Sequence, residues 1–518
     1  MTPELNLSVL GPVVAVATGA MLVLVGEVML TRAKSFLGRP LNEHYIGSLL
    51  ASVSIASLVV AAYMAAVTAL EGTALPFNVD NPMFRLDGFS ALITALIAVA
   101  ALLCCALSIH YLDELHIHHG EFYALVLFSV SGMMLMVASV DMLPVFLGLE
   151  LMSIPIYVLA GFDRRRLRSN ESAMKYFLIG SFASAILLYG VALLYGVSGS
   201  TAFVDIRAAF DPDDPIALIG LALVVVGFAF KISSVPFHQW TPDVYEGAPS
   251  AVTAFMSVTV KMAAFAALLR VLTLSFDPLG DLLRDVLWML AALTVVVGNV
   301  MAVIQENVKR LLAYSSIAHA GYLLIGFVPG TVAGYEAVVF YLIAYLFMNL
   351  GAFGVVVVLA HRGRDCERME SLAGLAHSRP GLAALMTLFM IALAGIPGTA
   401  GFVGKFLIFQ AAVEAGEVWL AILGVLMSVV SVYYYLRIPV LMYMREPGEE
   451  SPRVGFGSGE LVVLGACALG VVSLGLTPTD ALLVFGDLNV LDWAHNGIAA
   501  LYESAADAAE LAADAAAR

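Results

Sequence analysis

The chain has 518 residues, of which 61% are apolar and only 13% charged, with a formal charge of −15 and a mean hydropathy of +0.94. Soluble domains carry roughly 25% charged residues, so these values exclude a soluble enzyme, and likewise a disordered, collagenous or coiled-coil chain; the negative charge is not a nucleic-acid footprint. Runs of about 20 apolar residues recur, each able to cross a bilayer as a helix, and the predicted fold class is an all-α polytopic membrane protein.

In chain order the hydropathy predicts fourteen spans. They cover 8–30, 46–71, 90–112, 121–139, 142–161, 173–197, 216–237 and 250–275, then 286–304, 313–328, 335–360, 383–412, 418–444 and 460–476. Connections are short. The tail 487–518 is Ala-rich and acidic and reads as a short surface helix or a frayed end. Residues Met1 to Ser8 hold no Lys or Arg, so the first span is expected to be retained rather than cleaved as a signal. Odd-numbered loops hold 15 Lys and Arg, against 4 in even-numbered loops and termini. The positive-inside rule then puts the odd loops in the cytoplasm and both termini outside.

Six basic residues fall within spans: Lys175, Lys231, Lys261, Arg270, Lys405 and Arg437. A lysine facing lipid at a helix centre costs about 2.5–3.5 kcal/mol. The four lysines must therefore face the bundle interior, water or an acid. Arg270 and Arg437 lie nearer helix ends and are expected to snorkel. Glu150 sits mid-span in the fifth segment and Lys175 opens the sixth, so a Glu150–Lys175 pair is expected, either as part of an ion pathway or as a static contact that fixes packing.

The seventh span reads GFAFKISSVPFHQWTP. Pro236 lacks an N–H and clashes with the carbonyl of Ile232, so the helix should break just past Lys231. The twelfth repeats the device as AGIPGTAGFVGKF, with Pro397 among glycines and Lys405 following. Interrupted helices at membrane depth line cavities in transporters built from repeats. Lys261 is central in the eighth span. His319, in AYSSIAHAGYLLIG, has two readings: a proton carrier linking Lys261 to Lys405, or a hydrogen-bonded structural residue. His238 is as readily interfacial as functional. The run His116, His118, His119 resembles a metal patch but reads as a solvated loop. Cys104, Cys105, Cys366 and Cys467 lack metal-site spacing and read as packing residues or a loop thiol. The expectation is no metal site, nucleotide site or redox centre in this chain.

These residues lie in segments that resemble the antiporter-like membrane subunits of respiratory complex I, most closely the bacterial N subunits. The resemblance runs from about Gly132 to Arg437. It rests on FLGLELMSIPIYVLAG (146–161), NESAMKYFLIGSFASAILLYGVALLYG (170–196), FKISSVPFHQWTPDVYEGAPSAVTAFMS (230–257), NVKRLLAYSSIAHAGYLLIG (307–326) and AGIPGTAGFVGKF (394–406). It implies fourteen helices with two inverted five-helix repeats, about 121–275 and 286–444, flanked by N-terminal helices in 1–120 and a last helix with the acidic tail in 445–518. Helices seven and twelve would be discontinuous, at Pro236 and Pro397. It implies a proton relay of Glu150, Lys175, Lys231, Lys261, His319 and Lys405 that couples quinone reduction elsewhere in the complex to proton transfer. It implies no redox cofactor here, with FMN, Fe–S clusters and quinone in partner subunits. The partners would be other membrane-arm subunits, including a small neighbour and a larger antiporter-like one, in a bacterial inner membrane. Gly398 departs from relatives that place a second proline there. The rival reading is a subunit of an Mrp-type Na⁺/H⁺ antiporter or a membrane-bound hydrogenase. Those usually read LPDAH after the tryptophan, where this chain reads TPDVYEG after Trp240, which favours the N subunits.

Overall fold

The computed structural model describes residues 6–33, 35–36, 39–40, 43–71, 75–77, 83–276, 280–360, 367–446, 457–477 and 490–516. Cys366, Lys34, Arg362, Arg364, Arg453, Arg518 and the start of the acidic tail lie outside the described residues. A helix occupies each of the fourteen expected windows. The first six are α1 (Gly11–Arg32), α2 (Glu43–Glu71), α3 (Gly88–Glu114), α4 (Gly120–Ala138), α5 (Met142–Ala160) and α6 (Leu167–Ser198). After a short α7 (Phe203–Ala209), α8 (Pro215–Lys231) fills most of the seventh window, and α9 (Trp240–Gly247) resumes beyond its expected end. The eighth is α10 (Ser250–Phe255), a π-turn (Met256–Val260) and α11 (Lys261–Ser275). Then follow α12 (Gly280–Val303), α13 (Val308–Phe327) and α14 (Val332–Val358). A one-turn α15 (Leu375–Ser378) leads into the split pair α16 (Pro380–Ala394) and α17 (Ala400–Glu414). The chain closes with α18 (Val418–Met444), α19 (Ser458–Leu476) and α20 (Val490–Ala516).

Eleven of these helical segments are long and apolar enough to cross a bilayer by themselves. The breaks shorten α8 and α16, and α13 is diluted by Tyr314, Ser315, Ser316 and His319. Helix starts are set by side chains that accept the free first-turn N–H groups. Asp87 caps α3 through Ser90, Asp141 caps α5, Asn307 caps α13 and Thr331 caps α14. Two antiparallel two-residue ladders, Ser35 opposite Pro40 and Leu75 opposite Leu86, sit in loops.

Two helix pairs share one mode of packing. α4 packs on α5 and α12 packs on α13, each pair in backbone contact through glycine. A Cβ on Gly148 would fall 2.7 Å from Met136 N, and one on Gly321 2.5 Å from Val295 N. The window Ser250–Ser275 and α14 are almost wholly buried, whereas α1, α2 and α18 turn apolar faces outward. That is the arrangement of a bundle whose solvent is lipid. α20 lays Val490, Ala494, Ile498 and Leu501 against the bundle beside α3 and α14, tied by His495–Glu336 at 2.7 Å and a Tyr502–Tyr335 stack.

Two expectations change here. Arg270 does not snorkel: it is buried with Asp87 in a bidentate pair, Nη1–Oδ1 3.1 Å and Nη2–Oδ2 2.6 Å, both side chains 1% exposed. Burial alone would raise the Asp87 carboxyl, but the Arg270 charge and hydrogen bonds outweigh it and hold the pKa below the ordinary carboxylate value. Sequence distance, 183 residues, hid this partner. Lys309, counted with the loops, is fully buried and donates to the Ala248 carbonyl at 2.5 Å. Arg437 does lie near a helix end, where it donates to the Gln305 carbonyl at 3.0 Å.

Candidate functional site

Lys231 is the last residue of α8. Ser233 takes a left-handed φ of 63°, the Val235–Pro236 peptide is cis, and the helix resumes at Trp240. The polar groups that the break frees find local partners. Thr294 of α12 bonds Ser234 Oγ at 2.9 Å and accepts from Val235 N at 3.0 Å, and Trp240 Nε1 donates to Phe230 O at 3.1 Å. Lys231 Nζ, in a side chain 2% exposed, donates to Ser153 Oγ at 2.6 Å and Tyr157 Oη at 3.4 Å. It stands 5.5–5.7 Å from the ring centroids of Tyr157, Tyr176 and Phe230, close enough for their π faces to share in holding the cation. Glu150 lies within electrostatic reach of Lys231, and its Oε1 is buried with no hydrogen-bond partner among the described residues. His238 is half-buried in the break, its Nδ1 also unpartnered among the described residues.

The second break uses glycine. α16 stops at Ala394, Gly395 and Gly398 take φ of 82° and 88°, and Thr399 precedes α17. Such conformations cost a side-chain-bearing residue about 1–2 kcal/mol. Lys405 on α17 folds back on this break. Its Nζ donates to Leu393 O at 3.2 Å, Ala394 O at 2.9 Å and Ser428 Oγ at 3.0 Å, and sits 4.6 Å above the Tyr322 ring. The two carbonyls are the negative end of the α16 dipole.

Between them runs a polar row. Lys261 follows the π-turn and its Nζ donates to the Ser316 carbonyl. Tyr345 Oη donates to Ser316 Oγ at 2.9 Å. His319 is held at both nitrogens, Nδ1 to Tyr341 Oη at 2.6 Å and Nε2 to Tyr435 Oη at 2.9 Å. Tyr435 also bonds Ser315 Oγ, and its ring lies 4.4 Å from that of Tyr434. Tyr434 Oη donates to Asn299 Oδ1 at 3.0 Å, and Asn299 Nδ2 donates to Tyr322 Oη at 3.3 Å, beneath Lys405. Hydroxyls that both donate and accept can pass a proton along such a row.

The structure thus gathers Lys261, His319 and Lys405, while Lys231 feels the Glu150 charge without pairing directly with it. It does not bring Lys175 to Glu150. α6 starts at Leu167, earlier than expected, so Lys175 stands two turns in, beside the basic loops. There it pairs with Asp243 at 2.8 Å and Glu171 at 2.7 Å. Arg310 joins Asp243 at 2.9 Å and Glu246 at 3.0 Å, Arg168 joins Glu246 at 3.5 Å and Glu367 at 3.2 Å, and Arg166 pairs with Glu367. Sequence reading missed this network, the tyrosines and the π-turn. The hydroxyl-bearing runs AYSS (313–316) and VYYY (432–435) were the available signal. The histidine run is not simply solvated either, since His118 is buried.

Residues 139–431 match the family described as NADH:quinone oxidoreductase/Mrp antiporter, TM. NADH-quinone oxidoreductase subunit N of Trichlorobacter lovleyi is 47% identical over 451 residues, 86% of this chain and 89% of that relative. Subunit N 1 of Herpetosiphon aurantiacus is 39% identical over 497 residues, 94% of this chain and 97% of its own. A chain of respiratory complex I from Thermus thermophilus superposes with a TM-score of 0.73 at 34% identity, covering 89% of this chain and 97% of that one. A chain of the Mrp complex from Dietzia sp. DQ12-45-1b reaches 0.83 at 23% identity over 97% of this chain and all of that one, a likeness of fold alone. The chain belongs to the NADH:quinone oxidoreductase/Mrp antiporter family, and within it to the N subunits of NADH-quinone oxidoreductase.

Proposed function

We propose that this chain carries protons across the membrane as a non-redox subunit of NADH:quinone oxidoreductase, the translocase in which relatives are found. The observation that carries the reading is the same device built twice: a buried lysine whose ammonium is held at a break in a membrane helix. The chain crosses a bacterial inner membrane fourteen times with both termini outside, its two repeats spanning 121–275 and 286–444. Its neighbours are the other membrane-arm subunits, and FMN, Fe–S clusters and quinone belong to partner subunits.

In this reading Glu150 and Lys231 are the switch. While the carboxylate is charged, the Lys231 ammonium is compensated in low dielectric. When that charge is drawn away, the lysine gives up its proton. Lys261, His319 and Lys405 carry the second half, and the α16 carbonyls hold the Lys405 cation until it discharges. Lys175, with Asp243 and Arg310, forms the mouth on the side of the basic loops.

The test is NADH-driven acidification of sealed inverted membrane vesicles. Lys231→Ala and Lys405→Ala should each assemble and lose pumping by about 10²-fold, the lower end for removing a proton-transfer group. Unchanged pumping in both variants would overturn the reading. Co-purification with membrane subunits but without flavin or Fe–S partners would move the chain to an Mrp-type antiporter.

A further inference from the structure

The loop between α3 and α4 carries a cluster that the proton path does not use. His44 from the start of α2, Asp113 from the end of α3 and His118 from the loop each place a ligand atom within 4.8 Å of the others. Asp113 spreads its carboxylate between the two imidazoles, Oδ2 to His44 Nδ1 and Oδ1 to His118 Nδ1, both at 2.6 Å. Donor atoms around a tetrahedral zinc ion, with bonds of about 2.0–2.2 Å, stand about 3.3 Å apart. Opening each of the two 2.6 Å contacts to that spacing takes a shift of about 0.7 Å.

Three features make it a built site rather than a chance surface contact. His118 is rigid: its side chain is 3% exposed. Its ring lies flat on Gly47, where a Cβ would fall 2.6 Å from Nε2, so any larger residue at 47 would displace it. Its far nitrogen, Nε2, is 2.9 Å from Tyr123 Oη on α4. That is the outer contact that fixes a ligating histidine, with one ring nitrogen on the metal and the other N–H donated to an oxygen. His44, by contrast, has a side chain 66% exposed, which leaves a path for an ion and open positions for water.

We propose that His44, Asp113 and His118 bind a divalent transition ion of the zinc class, which ties α2, α3 and α4 together at the face of the basic loops. Two imidazoles and one carboxylate suit zinc and disfavour calcium and magnesium, which take oxygen ligands. On binding, each Nδ1 offers its lone pair and the imidazole proton resides on Nε2, where Tyr123 accepts it from His118. The neighbouring group Glu27, His119 and Glu121 also places three ligand atoms within 4.8 Å of one another, but Glu27 Oε2 already accepts the Gly120 N–H at 3.2 Å.

The experiment uses the full chain, purified in mild detergent with the subunits that accompany it, stripped with EDTA and titrated with ZnCl₂. Bound zinc is counted by equilibrium dialysis and elemental analysis. Wild type should hold one more zinc per chain than His44→Ala, a variant of an exposed side chain that leaves packing intact. Tyr123→Phe should keep the stoichiometry and weaken binding about 10- to 100-fold, the usual effect of losing an outer partner. MgCl₂ should not compete. Equal zinc content and affinity in wild type and His44→Ala would overturn the proposal. So would loss of the ion in His119→Ala with retention in His44→Ala.

Discussion

The two broken helices hold their lysines by different means. At the first break Lys231 rests on side chains: two hydroxyls, three aromatic faces, and a glutamate in electrostatic reach. At the second, Lys405 rests on two main-chain carbonyls of the break itself, one serine and the face of Tyr322, with no acid among these partners. A carbonyl dipole is fixed by the backbone and cannot titrate. A carboxylate can lose its charge or turn to another partner. The first site is therefore open to control by a neighbouring charge, whereas the second is a passive cradle. The backbone follows suit, with Ser233 in the left-handed region at the first break and Gly395 and Gly398 at the second.

The largest test of this contrast is Glu150→Gln, which leaves the shape and removes the charge. If that charge governs the lysine's proton, NADH-driven pumping in vesicles should fall by about 10²-fold, as for removal of a proton-transfer group, with Glu150→Asp in between. Pumping near wild type in Glu150→Gln would mean that the first lysine is as passive as the second. Next comes Gly395→Ala. A Cβ there would fall 2.9 Å from Lys405 Cδ, on a residue with φ of 82°. The backbone strain alone is about 1–2 kcal/mol, so pumping should drop about tenfold. Ser233→Ala, which keeps a side chain at the same kind of φ, should do far less.

Much of this layout was legible in the sequence because its signals are local. Pro236 and Pro397 end helices where glycine or serine allows the chain to turn, and both breaks lie where the sequence puts them. Proline alone was not sufficient, since Pro155 and Pro439 sit inside α5 and α18 without ending them. What stayed hidden needed a partner far along the chain. Nothing near Arg270 points to Asp87, and nothing near Lys175 points to Asp243. The tyrosines around His319 come from three helices, and a tyrosine in a hydrophobic run reads as core until its hydroxyl is seen to have a partner. The expected Glu150–Lys175 pair failed for the same reason. Neighbouring helices do pack, but the height of a side chain along them depends on where each helix starts.

The tyrosine row should give an intermediate effect. Tyr341→Phe and Tyr435→Phe each leave one His319 nitrogen without its hydroxyl. A buried polar atom left unpaired costs about 1–3 kcal/mol. Each variant should therefore slow pumping several-fold, and the double variant should fall short of the product, because one imidazole serves both. Full additivity would place the two hydroxyls on separate paths.

The smallest effect belongs to Lys175, and it separates the observed geometry from the pair that helix adjacency suggests. Its side chain is 41% exposed, and its partners Glu171 and Asp243 are 56% and 36% exposed. Ion pairs in water-facing settings contribute about 0–1 kcal/mol, and salt screens them. Lys175→Gln should lower pumping by less than about fivefold, and raising ionic strength should shrink the difference from wild type. Were Lys175 instead the buried partner of Glu150, its loss would match that of Glu150→Gln and would not respond to salt. Asp243→Asn decides between the two arrangements. It removes the acid shared by Lys175 and Arg310 and leaves Glu150 untouched, so a defect equal to or greater than that of Lys175→Gln assigns the lysine to the mouth rather than to the switch.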